Sequence, residues 1–274
     1  MADKDHVRVG EGVAFRSVFC VIHSGAANDE AVAQAALLAS PQTELSFLAV
    51  LGSAHGGGEE SAAENGSVRL SLEQAEALAA EGGLSASVRT VRGGNPSRLL
   101  LDASAGADLL VVGGPDDPRP GDVVLGGTAS SAVHAAELPV LVARRAPEGR
   151  NFPRDILVAT DGSPDARRGV ELAGKIAGAH DARIALVHIS DGHTQPHRTL
   201  GEDAVALRQE AGIEAATIQE FGNPAEQVAD VARRERVSLL VVGSRGLGGA
   251  RILGSVGERL AHEAPCSVLV ARPG

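Results

Sequence analysis

Apolar and polar positions alternate along this chain on two length scales. Short apolar runs are bounded by glycine, proline or acidic residues, and between them lie longer stretches with apolar residues every three or four positions. The short runs read as strands covered on both faces and the longer stretches as crossover helices, which together predict parallel sheets in an α/β fold. In the second half the predicted strands are 156–160, 182–189, 214–219, 237–242 and 267–271; in the first they are 18–22, 45–51, 86–91, 109–112 and 140–143. Ser163-Pro164-Asp165 offers a hydroxyl N-cap, a proline at the first helical position and a carboxylate in the first turn, predicting a helix to about residue 177. Pro224 opens another helix through 234. Ser255-Val256-Gly257-Glu258 has capping-box spacing, with Ser255 as the predicted N-cap and Glu258 as its partner. The stretch from His55-Gly56-Gly57-Gly58-Glu59-Glu60 onward is predicted to be a mobile surface loop inserted in the first half.

The pattern occurs twice. Val32 matches Val170 and Val50 matches His188 at an offset of 138, while Gly94-Asn95-Pro96 matches Gly222-Asn223-Pro224 and Leu125-Gly126 matches Leu253-Gly254 at an offset of 128. Val140-Leu141-Val142-Ala143-Arg144 and Val268-Leu269-Val270-Ala271-Arg272 close the two copies. A repeat of that size is a whole domain rather than a solenoid unit, so the expected organisation is two domains, 1–148 and 153–274, with a polar boundary at Ala146-Pro147-Glu148-Gly149-Arg150-Asn151-Phe152-Pro153.

Composition narrows the function classes. A net charge of −10, from 25 basic and 35 acidic residues, argues against general nucleic-acid binding, and with five Phe but no Trp or Tyr the chain lacks stacking platforms for single strands. Cys20 and Cys266 stand at non-equivalent places beside apolar runs, which suits buried thiols in a reducing compartment. No run approaches the roughly 20 apolar residues of a membrane span, and no basic start precedes an early apolar stretch, so a cytoplasmic protein without membrane contact is expected.

Parallel sheets bind ligands beyond the carboxyl ends of their strands, where the two copies differ most. After the fourth strand of the second half comes Gly243-Ser244-Arg245-Gly246-Leu247-Gly248-Gly249-Ala250-Arg251-Ile252-Leu253-Gly254-Ser255-Val256. Gly243, Gly246, Gly248 and Gly254 would let backbone N–H groups approach an anion, with Ser255 and Val256 at the positive end of the following helix. Arg245 and Arg251 would complement a polyphosphate. Ala159 and Asp161 end the first strand, the carboxylate being placed to accept from ribose hydroxyls, and the backbone of Ile189 follows the second strand, where an adenine edge would lie. His188, His193 and His197 are not assigned to a metal, because Pro196 interrupts the helix that would align the last two. No nucleophile with a base and an orienting partner is legible, the Gly-Lys-Ser/Thr of a Walker loop is missing, and no catalytic residue is assigned.

These residues resemble the universal stress protein family, nearly the whole chain reading as two tandem copies. The second copy carries the Val158-Ala159-Thr160-Asp161-Gly162-Ser163 start, the His188 ending of the second strand, the Gly222-Asn223-Pro224 turn and the glycine loop. The resemblance implies two Rossmann-like, adenine nucleotide α-hydrolase-like domains, each a five-stranded parallel sheet flanked by helices. It also implies ATP, with Mg, as the ligand, a regulatory role in stress or dormancy with at most slow hydrolysis, pairing of the two halves through their last strands, and a homodimer of the whole chain. Family members that bind nucleotide place nine residues between a pair of glycines three apart and a Gly-Ser or Gly-Thr; here seven residues separate Gly246 from Gly254, so the loop is two residues short. In the first copy Asp116 replaces the second glycine, Gly127 the hydroxyl residue and His23 the position of Asp161, with Pro115 and Pro118 removing N–H donors. Only the second copy is therefore expected to bind ATP. Two other readings are a nucleotide-independent protein-interaction module and a slow ATP-hydrolysing or adenylate-forming enzyme.

Overall fold

The computed structural model describes residues 13–23, 28–51, 59–92, 96–114, 125–190, 200–244 and 254–272. In the first half the elements are β1 (Ser17–His23), α1 (Asn28–Leu38), β2 (Glu44–Leu51), α2 (Glu59–Glu81), β3 (Ala86–Arg92), α3 (Pro96–Ala103), β4 (Leu109–Gly113), α4 (Gly127–Ala135) and β5 (Val140–Ala143). The second half runs β6 (Asp155–Ala159), α5 (Pro164–His180), β7 (Arg183–Ser190), α6 (Leu200–Ala211), β8 (Ala215–Phe221), α7 (Pro224–Arg234), β9 (Leu239–Gly243), α8 (Ser255–Glu263) and β10 (Ser267–Ala271). The predicted strands fall within one or two residues of these bounds.

All ten strands form one sheet in the order β3-β2-β1-β4-β5-β10-β9-β6-β7-β8. Pairing is parallel within each half and antiparallel only at the centre, where Val268 faces Val142, Leu269 faces Leu141 and Val270 faces Val140. The two last strands thus meet edge to edge, and each covers the apolar margin of the other. Both faces of the sheet are covered. Val32 of α1, Ala75 of α2, Val170 of α5 and Leu207 of α6 pack on one side, and Leu100 of α3, Val133 of α4, Val228 of α7 and Leu260 of α8 on the other. The uninterrupted apolar runs of β4, β5, β9 and β10 follow from this double burial.

Two expectations need correction. The segment predicted as a loop from Glu59 and Glu60 onward is the 23-residue helix α2. Its buried stripe is Val68, Ser71, Ala75 and Ala79, spaced as a helix face but built mainly from small residues, so it carries little hydrophobic signal. The capping box of α8 is also displaced: Gly254, not Ser255, is the N-cap, and no side chain caps the helix. By contrast, Ser163 and Asn223 are N-caps, accepting from Ala166 N and Glu226 N, and α5 runs three residues past its predicted end to His180.

Candidate functional site

β6 lies between β7 and β9, and the chain leaves their carboxyl ends toward opposite faces: α5 packs with the α6 layer and α8 with the α7 layer. The ends of β6 and β9 therefore border a crevice at a topological switch point. β7 extends it, because Val187 pairs with Ala159, the last residue of β6, whereas Ile189 and Ser190 continue beyond with partners only on β8.

The turn leaving β6 is fixed by its own polar side chains. Thr160 N donates to Val187 O at 2.9 Å, His188 Nδ1 donates to Thr160 O at 2.9 Å, and the buried Thr160 hydroxyl donates to Asp203 of α6 at 2.9 Å. Gly162 turns the chain at φ 75°, a left-handed conformation suited to glycine. Asp161 Oδ1 accepts from Ser163 N at 2.9 Å, closing an Asx turn, and Ser163 Oγ accepts from Ala166 N at 3.2 Å to start α5. Asp161 thus stands at the crevice with one carboxylate oxygen engaged in shaping the turn.

A second set of bonds ties this turn to the end of β9. Ser244 Oγ donates to the buried carboxylate of Asp165 at 2.7 Å, in the first turn of α5, where the helix N-terminus favours a negative charge. Ser244 N donates to Ala271 O at 2.9 Å, and Ser244 O accepts from Gly254 N at 2.7 Å. Ser244 therefore joins α5, β10 and the start of α8, and the two ends of the glycine loop are held together. Neither Ser244 nor Asp165 stands among the expected site residues; Asp165 is read in the sequence only as a first-turn carboxylate of α5, and Ser244 only as one residue of the glycine loop.

Gly243 has a packing reason to be glycine: a Cβ there would lie 2.9 Å from Ala166 N and 3.0 Å from the carbonyl carbon of Asp165. It lets α5 sit against β9, which is what brings Asp165 to Ser244. Arg245, Gly246, Gly248 and Arg251 lie outside the described residues, as do His193 and His197. Gly254, Ser255 and Val256 stand at the opening of α8, with Ser255 exposed and the other two half-buried. Because no side chain caps this helix, its first N–H groups have no capping partner from Gly254, and Glu258 is drawn elsewhere: its carboxylate meets His134 Nε2 of the first half at 3.0 Å.

The equivalent crevice of the first half is built differently. Ile22 stands in place of Thr160 and His23 in place of Asp161, and the His23 backbone is bound at both its N–H and its carbonyl by Asn28. Gly114 occupies the position of Ser244; its N–H keeps the bond to Ala143 O at 2.8 Å, but there is no hydroxyl to reach the following helix. The N-cap of α4 is Gly126, again without a side-chain cap, so the helix entrance alone does not distinguish the halves. The distinction lies in the strand-one turn and in Ser244.

The seam between halves carries groups to which the sequence pattern assigns no role. Arg144, at the end of β5, is 1% exposed and crosses to the second half, donating to Cys266 O and His262 O at 3.3 Å each and to Ala261 O. Its guanidinium ends α8 as a cation at a helix C-terminus should. Burial pushes its pKa down to about 10, which leaves it charged at neutral pH. The exchange is reciprocal, since Arg272 at the end of β10 donates to Val133 O of α4. Gln34 of α1 joins in, donating to Arg144 O at 2.6 Å and accepting from Ser267 Oγ at 2.8 Å. No helix among the described residues is long and apolar enough to cross a membrane, and no cluster of three or more His, Cys, Asp or Glu among them could hold a metal ion.

Comparison with known proteins agrees with this architecture. A sequence model described as the Universal stress protein family matches residues 14–144 and again 153–272. A universal stress protein of Mycolicibacterium smegmatis is 29% identical over 231 residues, covering 75% of this chain and 76% of that one. One from Thermus aquaticus is 34% identical over 137 residues, 43% of this chain and 98% of its own length. Among solved structures, a universal stress protein from Archaeoglobus fulgidus superposes with a TM-score of 0.72 at 18% identity, covering 95% of this chain and 97% of that one, which shows a shared fold. With both halves matched, the chain belongs to the universal stress protein family as a tandem member.

Proposed function

We propose that the crevice of the second half binds ATP, supplied as Mg-ATP, and that the protein is a nucleotide-responsive regulator of stress or dormancy whose first half does not bind nucleotide. The observation that carries this reading is the lock made by Ser244. It holds the Asp161 turn, the ends of the glycine loop and the uncapped entrance of α8 in one arrangement, and among the described residues of the first half Gly114 stands in its place without a hydroxyl. Asp161 would accept from the ribose and the backbone of Ile189 would meet the adenine. Gly246, Gly248, Gly254, Ser255 and Val256 would give amides to the phosphates, with Arg245 and Arg251 as countercharges. Ala159 and Gly243 would line the floor.

Calorimetric titration of the purified chain with Mg-ATP tests the reading, and one site per chain is expected. Gly246→Asp, which copies Asp116 of the first half, puts a carboxylate where phosphate would sit and should weaken binding by at least about a hundredfold with an unchanged melting transition. Absence of binding and of thermal stabilisation by Mg-ATP in the parent chain would favour a nucleotide-independent interaction module. An unchanged titration in Gly246→Asp would place the nucleotide elsewhere.

A further inference from the structure

α8 belongs to the second half, yet the first half grips it at both ends. Its C-terminal carbonyls receive Arg144, and in its opening turns Glu258 receives His134 of α4 across the seam, Nε2 to Oε1 at 3.0 Å. His134 is itself anchored, with Nδ1 2.7 Å from the carbonyl oxygen of Ser130. The equivalent histidine of the second half behaves differently: His262 Nδ1 accepts from Leu125 N at 3.5 Å, and the place corresponding to Glu258 in the first half is Ser130. The pair between His134 and Glu258 is therefore one-sided.

Glu258 lies about one turn inside the helix entrance that the proposed phosphates would face. A carboxylate in the opening turns complements a helix dipole, but beside a bound anion it is a like charge. Its neighbour Arg259 cannot compensate for it, being engaged with Glu226 and Glu263 at 3.0 Å each. What holds the Glu258 carboxylate is the histidine of the other half.

We propose that His134 is a positioning residue for the nucleotide site of the second half: it draws the Glu258 carboxylate against α4 and away from the α8 entrance, so that a triphosphate meets amide N–H groups without an opposing negative charge. This rests on the ATP reading above, and it gives the first half a part in the site of the second. The ligand-facing consequence is selective for charge. His134 would matter for the phosphates and not for the nucleoside.

The test uses the whole chain and titrates Mg-ATP and adenosine into the parent, His134→Ala, Glu258→Gln and the double variant, with a melting curve for each. His134→Ala should bind Mg-ATP about tenfold more weakly and adenosine as before. In the Glu258→Gln background the same histidine substitution should have no effect, because there is no carboxylate left to hold. Three results would overturn the role: equal Mg-ATP affinity in His134→Ala and parent, equal weakening for ATP and adenosine, or a histidine effect that persists between Glu258→Gln and the double variant. A parent chain that binds no Mg-ATP would remove the site itself, a result distinct from all three.

Discussion

The two halves share strand order, helix layers and a glycine N-cap before the last helix, yet their crevices are held by different means. In the second half, side-chain bonds run between elements, Thr160 to Asp203 and Ser244 to Asp165, while Asp161 closes its own turn. In the first, Asn28 closes the turn onto the His23 backbone, and Gly114 has no side chain to extend. A fold of this kind therefore tolerates loss of the polar lock, because the packed strands beneath it carry the stability. What the lock adds is a defined position for the end of β9 and the entrance of α8, which the proposed nucleotide binding would need and folding does not.

The largest effect is expected where the two halves meet. Arg144→Ala should cost about 3–5 kcal/mol in chemical denaturation, since it leaves the end of α8 without its buried cation. A loss below about 1 kcal/mol would mean that the first half does not hold this helix end. Ser244→Gly, which copies Gly114, should cost about 2 kcal/mol and lower Mg-ATP affinity, because a buried hydroxyl-carboxylate bond is lost and the loop ends are less tightly placed. Full stability with full affinity in that variant would erase the distinction drawn between the two crevices.

The smallest effect expected is a dependence on pH. Burial lowers the pKa of His180 and of His262, the latter against the opposing pull of Glu258. The folded chain therefore favours neutral imidazole, while the unfolded chain takes up protons below about pH 6.5. Stability from this source is complete above about pH 6.5 and is lost as pH falls through the lowered folded values. The melting temperature should decline on acidification from about pH 7.5 to 5.5, and less steeply in His180→Gln/His262→Gln. An identical slope in that variant would assign acid sensitivity to carboxylates instead.

Much of the fold is legible in the sequence because doubly buried strands are written as uninterrupted apolar runs and because the pattern occurs twice. The Ser163-Pro164 pair and Pro224 also place their helices correctly, since helix starts are set by local interactions. Other features depend on contacts that no local pattern records. α2 escapes detection because its buried face is Val68, Ser71, Ala75 and Ala79, and Ser71 is placed by Asp29 of α1 at 3.2 Å. The start of α8 departs from its capping-box spacing because Glu258 answers to His134, distant in sequence, rather than to Ser255. Within the candidate crevice, the positions of Asp161 and Gly254 follow from motif order. Those of Ser244, Asp165 and Asp203 do not, as their importance arises only when β6, β9 and α6 converge.

The antiparallel meeting of β5 and β10 uses up, inside one molecule, the only two strand margins at the middle of the sheet. Two molecules of this protein cannot associate by repeating that contact unless the halves first come apart. Among the described strands, β3 and β8 alone keep an outer margin for a sheet-edge contact between intact chains, so tandem fusion fixes internally a partnership that separate domains would have to find by diffusion.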